Sequence, residues 1–223
     1  MNLNLKGKTA IIGGSSKGLG KACAVSLARE GVNVVICARN VEALKKTEME
    51  IEAHGVETLA LTADMSVADD NRRIVSATIE KFGGVDILIN NSGGPKPGTF
   101  REVSEDDMDE AYNSVLKYNI RMINLCLPYM EKKGWGRIIN IASVSVKEPL
   151  PNIVLSNIFR SAVVSYAKTI SRDLIPKGIT VNTVCTGYFK TDRITQLINR
   201  GAEAENISVE EYERRAIEDL DRK

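Results

Sequence analysis

Six short, β-rich apolar runs alternate with longer helical patterns along this chain, and that alternation limits the folds open to it more than any other feature. The runs are Thr9 to Ile12, Asn33 to Cys37, Thr58 to Thr62, Asp86 to Asn90, Arg137 to Ile141 and Ile179 to Val184. Several of them (Ala10-Ile11-Ile12, Val34-Val35-Ile36, Ile87-Leu88-Ile89) show little polar alternation, as strands do when helices cover both faces of a parallel sheet. Between them, Gly20 to Glu30, Val41 to Ala53, Ala68 to Phe82, Glu105 to Lys133 and Asn157 to Ile175 have the length and spacing of crossover helices. This order predicts an α/β fold, a doubly wound parallel sheet of about six strands. No linker or fixed-period repeat divides the 223 residues, so a single domain is the simpler reading. Its last stretch, 199–223, is set apart by charge, with 13 of 25 residues charged, and reads as a solvated helical lid or tail of that domain.

Composition removes whole classes of function. Thirty basic residues against 29 acidic ones leave a net charge of +1, which gives no electrostatic case for nucleic acid as a partner. The four cysteines, Cys23, Cys37, Cys126 and Cys185, lie 14, 89 and 59 positions apart, so no CxxC pair exists for zinc or redox work. Buried free thiols in a reducing compartment are the expectation. His54 is the sole histidine; it excludes a two-imidazole metal site and makes a Ser-His-Asp triad a poor candidate. No apolar run reaches the length of a membrane span, and Met1 to Lys8 lacks a signal-peptide core, so a cytoplasmic protein with no membrane partner is expected.

The first strand runs into Gly13-Gly14-Ser15-Ser16-Lys17-Gly18-Leu19-Gly20 and then a helix. A turn so rich in glycine lets backbone N–H groups approach a pyrophosphate, and the helix behind it presents its positive end to the anion. The spacing Gly14-x3-Gly18-x-Gly20 differs from GxGxxG and resembles the glycine turn of the short-chain dehydrogenase/reductase family, in which position 13 is usually Thr. Two further strand ends carry the resemblance. Asn90-Asn91-Ser92-Gly93 is similar to the family's NNAG, with Ser92 for Ala, and Asp64-Met65 stands where the family meets the adenine. The likeness runs from Leu5 to about Thr191 and implies a Rossmann-like fold over 1–198.

It also implies a cofactor site made of Gly14, Ser16, Lys17, Gly18, Leu19, Gly20, Arg39, Asp64, Met65, Asn90, Ser92, Gly93, Arg160, Gly187 and Thr191. At the end of the second strand, an acid would accept hydrogen bonds from the ribose of NAD(H) and repel the 2′-phosphate of NADP(H). The residues there are Ala38 and Arg39, with Lys17 as a second cation, so NADP(H) is favoured over NAD(H).

At the catalytic positions the resemblance breaks. Ser143 stands where the family's substrate-oxygen Ser is found, but its YxxxK pair falls on Ser156 and Arg160. The i, i+4 spacing keeps both groups on one helix face. An aliphatic hydroxyl is a far weaker acid than a phenol, and Arg holds its proton too firmly to relay it. Counting back from Gly136-Arg137 puts Val115 at the family's helix Asn. Val181-Asn182-Thr183-Val184-Cys185-Thr186-Gly187 resembles the loop over the nicotinamide, with Thr186 replacing Pro, and Tyr188 there reads as a wall of the substrate pocket. The resemblance implies a further βα unit that does not appear after Lys223; either the product is truncated, or a lid left unclosed and one exposed sheet edge are expected unless a partner covers it.

Two functions are consistent with these residues. One is an NADP(H)-dependent oxidoreductase of a small carbonyl or alcohol, of sugar or 3-oxoacyl type, with Ser143 and Ser156 orienting the oxygen. The other is a catalytically impaired NADP(H)-binding protein acting as sensor or subunit. A lyase using Arg160 has no supporting motif. The resemblance further implies a homodimer or homotetramer through the two long helices.

Overall fold

In the computed structural model, which describes Leu3 to Asp221, the expected doubly wound sheet is present. All six strands are parallel, in the order β3-β2-β1-β4-β5-β6. They are β1 (Thr9–Ile12), β2 (Asn33–Ala38), β3 (Thr58–Thr62), β4 (Ile87–Asn90), β5 (Gly136–Ile141) and β6 (Ile179–Val184). Helices α1 (Gly18–Arg29) and α2 (Val41–Glu52) follow β1 and β2, and α3 (Ala68–Phe82) follows β3. The order reverses between β1 and β4, and at such a switch point the loops at the strands' carboxyl ends diverge and open a crevice.

The strands lack polar alternation because both faces are buried. Ala10, Ile12, Val34, Ile36, Ile87 and Ile89 pack with α1 and α2 on one side. Ile11, Val35, Leu88 and Ile138 pack on the other with Met122, Ile123 and Leu174. At the amino edge, the buried Asp86 carboxylate accepts from Thr9 N (2.9 Å) and Lys133 Nζ (2.9 Å), tying β1 to the end of a helix. Beside it Trp135 is flanked by two cations, Lys8 at 4.1 Å and Arg137 at 4.3 Å from the ring centroid.

The helix expected over Glu105 to Lys133 is broken. It comprises α4 (Glu105–Ala111), a π-helical segment (Tyr112–Lys117) and α5 (Tyr118–Lys133). The Asn113 side-chain amide donates to Asp109 O at 2.8 Å, the carbonyl that an α-helical Asn113 N–H would use, and so diverts the ladder. The next long helix, α6 (Val154–Leu174), starts three residues earlier than the sequence pattern indicates. Val154 N donates to Gly98 O, which satisfies one of the helix's first N–H groups without a capping side chain. Ser156 therefore lies within the first turn of α6.

The chain divides into two compact units between Thr186 and Gly187. The second is a helical hairpin of α7 (Asp192–Glu205) and α8 (Val209–Asp221). Asn206 turns between them in the left-handed region, φ +53°, and the Tyr212 ring lies so close to Gly201 that a side chain there would overlap it. The Glu211 carboxyl is held below its usual range by Arg214 and Arg215. The charged stretch is thus helical up to Glu205 and over Val209–Asp221, while Arg222 and Lys223 lie outside the described residues.

Candidate functional site

Because all strands are parallel, the ends of β1 to β5 bring Gly13 to Gly20, Arg39, Asp64, Asn90 to Gly93 and Ser143 to one edge of the sheet. The glycine turn is built for close approach. Gly14 has φ +54°, a conformation that favours glycine, and a Cβ on Gly20 would lie 2.4 Å from Gly14 O and 2.7 Å from Asn91 Nδ2. Helix α1 begins at Gly18, directly behind the turn, with Lys17 exposed at its N-cap and Leu19 half-buried. Thr47 Oγ1 donates to Ser16 O at 3.1 Å, joining α2 to the turn.

Arg39 leaves the end of β2 next to the buried Ala38, and its Nη1 lies 3.8 Å from Asp64 Oδ2. Asp64 is itself fixed: Oδ1 accepts from Ser66 N (2.9 Å) and Ser66 Oγ (2.7 Å), while Asp64 N donates to Asp70 Oδ2 (2.7 Å). That backbone bond, together with Arg73, holds the Asp70 carboxyl below its usual range. Met65 is buried beside it.

The sequence pattern understates several residues around this turn. Ser15 is fully buried; its hydroxyl donates to Ile12 O (2.8 Å) and accepts from Cys37 N (2.9 Å), joining the turn to β2. Asn91 donates from one amide nitrogen to Gly13 O (3.0 Å) and Gly14 O (3.1 Å). Both lie within runs that the sequence singles out, Gly13 to Gly20 and Asn90 to Gly93, but neither run reveals these bonds.

Around the catalytic positions, Ser143 Oγ accepts from Ser145 N at 3.1 Å, which leaves its own proton to donate. Ser156 is 8% exposed, and Arg160, one turn on, donates from Nη1 to Ile141 O at 2.7 Å. Residues 156, 160, 163 and 167 form the inward stripe of α6. Gly98 and Ile153 form a parallel bridge that fastens the loop after β4 to the approach of α6. Val115 is buried within the π segment. One turn later Asn119 accepts from Asn90 Nδ2 at 2.9 Å, and the same nitrogen donates to Asn140 Oδ1 at 3.0 Å. Buried Ser145 Oγ, Asn90 Oδ1 and Asn140 Nδ2 have no partner among the described residues, as polar atoms next to a water or ligand site do.

The two remaining cofactor candidates, Gly187 and Thr191, belong to the second unit, where Thr191 is the N-cap residue of α7. The Cys37 and Cys126 thiols are buried, which pushes the pKa of both up to about 12. Among the described residues no group of side chains could hold a metal ion.

A backbone cradle at a helix start, on the carboxyl edge of a parallel sheet and at its switch point, defines a nucleotide-binding α/β protein. The model of the short chain dehydrogenase family matches residues 8–201. The chain belongs to that family. A 3-oxoacyl-(acyl-carrier-protein) reductase of Staphylococcus epidermidis is 31% identical over 191 residues, which cover 85% of this chain and 78% of that protein. A point variant of the actinorhodin polyketide ketoreductase, solved with NADPH, is 30% identical with a TM-score of 0.87, covering 92% of this chain and 79% of that one. L-Sorbose reductase from Gluconobacter frateurii, solved with NADPH and L-sorbose, is 28% identical with a TM-score of 0.88, covering 95% and 81%.

Proposed function

We propose that this chain binds NADP(H) at the carboxyl edge of its sheet and acts as an oxidoreductase on a small carbonyl or alcohol, of sugar or 3-oxoacyl type. The observation that carries this reading is the glycine cradle with Ala38 and Arg39 at the neighbouring strand end: backbone approach for a pyrophosphate, an 81% exposed cation for a 2′-phosphate, and an apolar residue at position 38 where an acid would repel that phosphate. The NADPH-bound ketoreductase and sorbose reductase support the same cofactor. In this reading Gly14, Ser16, Lys17, Gly18, Leu19 and Gly20 hold the pyrophosphate. Lys17 and Arg39 face the 2′-phosphate, and Asp64 and Met65 the adenine. Asn90, Ser92, Gly93 and Arg160 border the nicotinamide ribose.

When bound, the reduced nicotinamide supplies a hydride to the carbonyl carbon. Ser143 Oγ–H donates to the carbonyl oxygen, Ser156 orients it, and the Arg160 guanidinium favours the negative charge that develops there. Neither serine is acidic enough to surrender its proton at neutral pH, so water completes the alcohol.

A second reading, a cofactor-binding protein with little turnover, is favoured by Arg160, whose bond to Ile141 O engages the guanidinium with the protein itself. Deuterium-labelled NADPH offered with a panel of ketones, sugars and acyl thioesters decides between them. Label in any product above the buffer control supports the enzyme; tight NADPH binding with no transfer across the panel favours the binder.

The reading extends to assembly and place. Exposed Met108, Tyr112 and Ile158, on α4, the π segment and α6, support a homodimer or homotetramer. Four free cysteines suit a reducing cytoplasm. Among the described residues, no helix is long and apolar enough to cross a membrane.

A further inference from the structure

We infer that Tyr118 is a positioning residue of the cofactor turn, its phenol occupying the space of the side chain that position 13 lacks. The inference rests on the proposed reading of that turn as the nucleotide site. Tyr118 is the first residue of α5 and is 1% exposed; its hydroxyl donates to Asn91 O at 3.3 Å. A Cβ built on Gly13 would lie 2.4 Å from the phenol oxygen and 2.6 Å from Asn91 O. The phenol oxygen and the Asn91 carbonyl together exclude a side chain there, and the phenol is the nearer of the two. The hydroxyl that fills this space thus comes from a helix far away in sequence.

The contact reaches the cradle through a short chain of bonds. Tyr118 holds the Asn91 carbonyl, Asn91 Nδ2 holds Gly13 O and Gly14 O, and Gly13 N donates to Ile89 O at 3.1 Å. Gly14 O in turn lies against Gly20, so the turn's two glycine ends are set by one asparagine that Tyr118 locks. Burial raises the phenol's pKa above its usual range, which keeps it a donor wherever the protein is folded. The same burial keeps it from substrate, so Tyr118 is not the acid missing at position 156.

A double-mutant cycle of Tyr118→Phe and Gly13→Ala tests this, read by NADPH titration and by hydrogen exchange at the Gly13 and Ser15 amides. Tyr118→Phe keeps the ring and removes only the hydroxyl. It is expected to raise the NADPH Kd about three- to tenfold, the scale of one buried hydrogen bond, and to speed exchange at those two amides relative to Ile138 and Ile139. Gly13→Ala is expected to be more damaging in the native background and at least about threefold less so in the Tyr118→Phe background, because only the overlap with the hydroxyl is relieved. Strictly additive effects, or unchanged exchange in Tyr118→Phe, overturn the inference. Should Gly13→Ala fail to fold, Tyr118→Phe against the native protein still decides by exchange. Absence of NADPH binding by the native protein would instead defeat the cofactor reading, and the exchange comparison would continue to judge Tyr118.

Discussion

Arg39 and Asp64 stand 3.8 Å apart with side-chain exposures of 81% and 38%, and an ion pair this open to solvent contributes little to stability. Its cation is better placed to meet a phosphate than to support the fold. Arg39→Asp should therefore weaken NADPH by about 1.5–3 kcal/mol and leave NADH almost unchanged, since a carboxylate would replace a charge-assisted contact. Parallel titrations with the two cofactors check this; an equal loss for both would contradict it. The second prediction at this scale concerns α6, where Ser156 and Arg160 stand one turn apart at the positions that the resemblance assigns to the family's Tyr and Lys. Ser156→Tyr with Arg160→Lys should raise carbonyl reduction by about 10²-fold, the scale of general acid catalysis. A fall in native turnover would mean that the existing pair performs a different task. These two positions were legible in the sequence because the family resemblance, counted on from Ser143, locates them. Tyr118 was not, since its role appears only when β1, β4 and α5 meet.

Helix α4 shows how a single element is specified. Ser104 Oγ accepts from Asp107 N, and the Asp107 carboxylate accepts from Ser104 N at 2.9 Å, a reciprocal cap at the helix start. Lys96, from the loop after β4, adds a bond to Asp107 at 2.7 Å. Lys96 and the Ser104 N–H together lower the Asp107 pKa to about 2. A lowered carboxylate pKa stabilises the folded state fully above the unfolded value of about 3.9 and loses that contribution as pH falls through the folded one. The cap should thus survive to about pH 2, and Lys96→Ala should move the Asp107 titration upward; carboxyl chemical shifts followed against pH measure both. Strands were the most legible elements, with β6 found over the expected residues Ile179–Val184. The break at Tyr112–Lys117 was hidden because its apolar positions fit one continuous helix, and the Asn113 amide that diverts the ladder is an ordinary exposed-helix residue by pattern.

For the molecule as a whole, a doubly wound parallel sheet follows from strand alternation and crossover helices, whereas the order β3-β2-β1-β4-β5-β6 does not, since the same alternation fits more than one doubly wound order. The interior polar contacts, Ser15 with Cys37 and Asn119 with Asn90, join residues too distant in sequence for spacing to reveal. Assembly gives the prediction at this scale. Tyr112 and Phe159 pack with ring centroids 6.4 Å apart beside exposed Ile158. Sedimentation at micromolar concentration should show at least a dimer, and Ile158→Glu should shift it towards monomer; a monomeric native protein would refute the assembly. The cation-flanked Trp135 also bears on how such measurements are made. It is the only tryptophan, so one indole accounts for the protein's long-wavelength ultraviolet emission. It precedes β5, whose six residues span about 20 Å towards the edge where the nicotinamide is proposed to bind. Reduced nicotinamide absorbs where indole emits, so loading should appear as energy transfer across the sheet, and unfolding as the loss of the two flanking cations: one native chromophore reporting both events without a label.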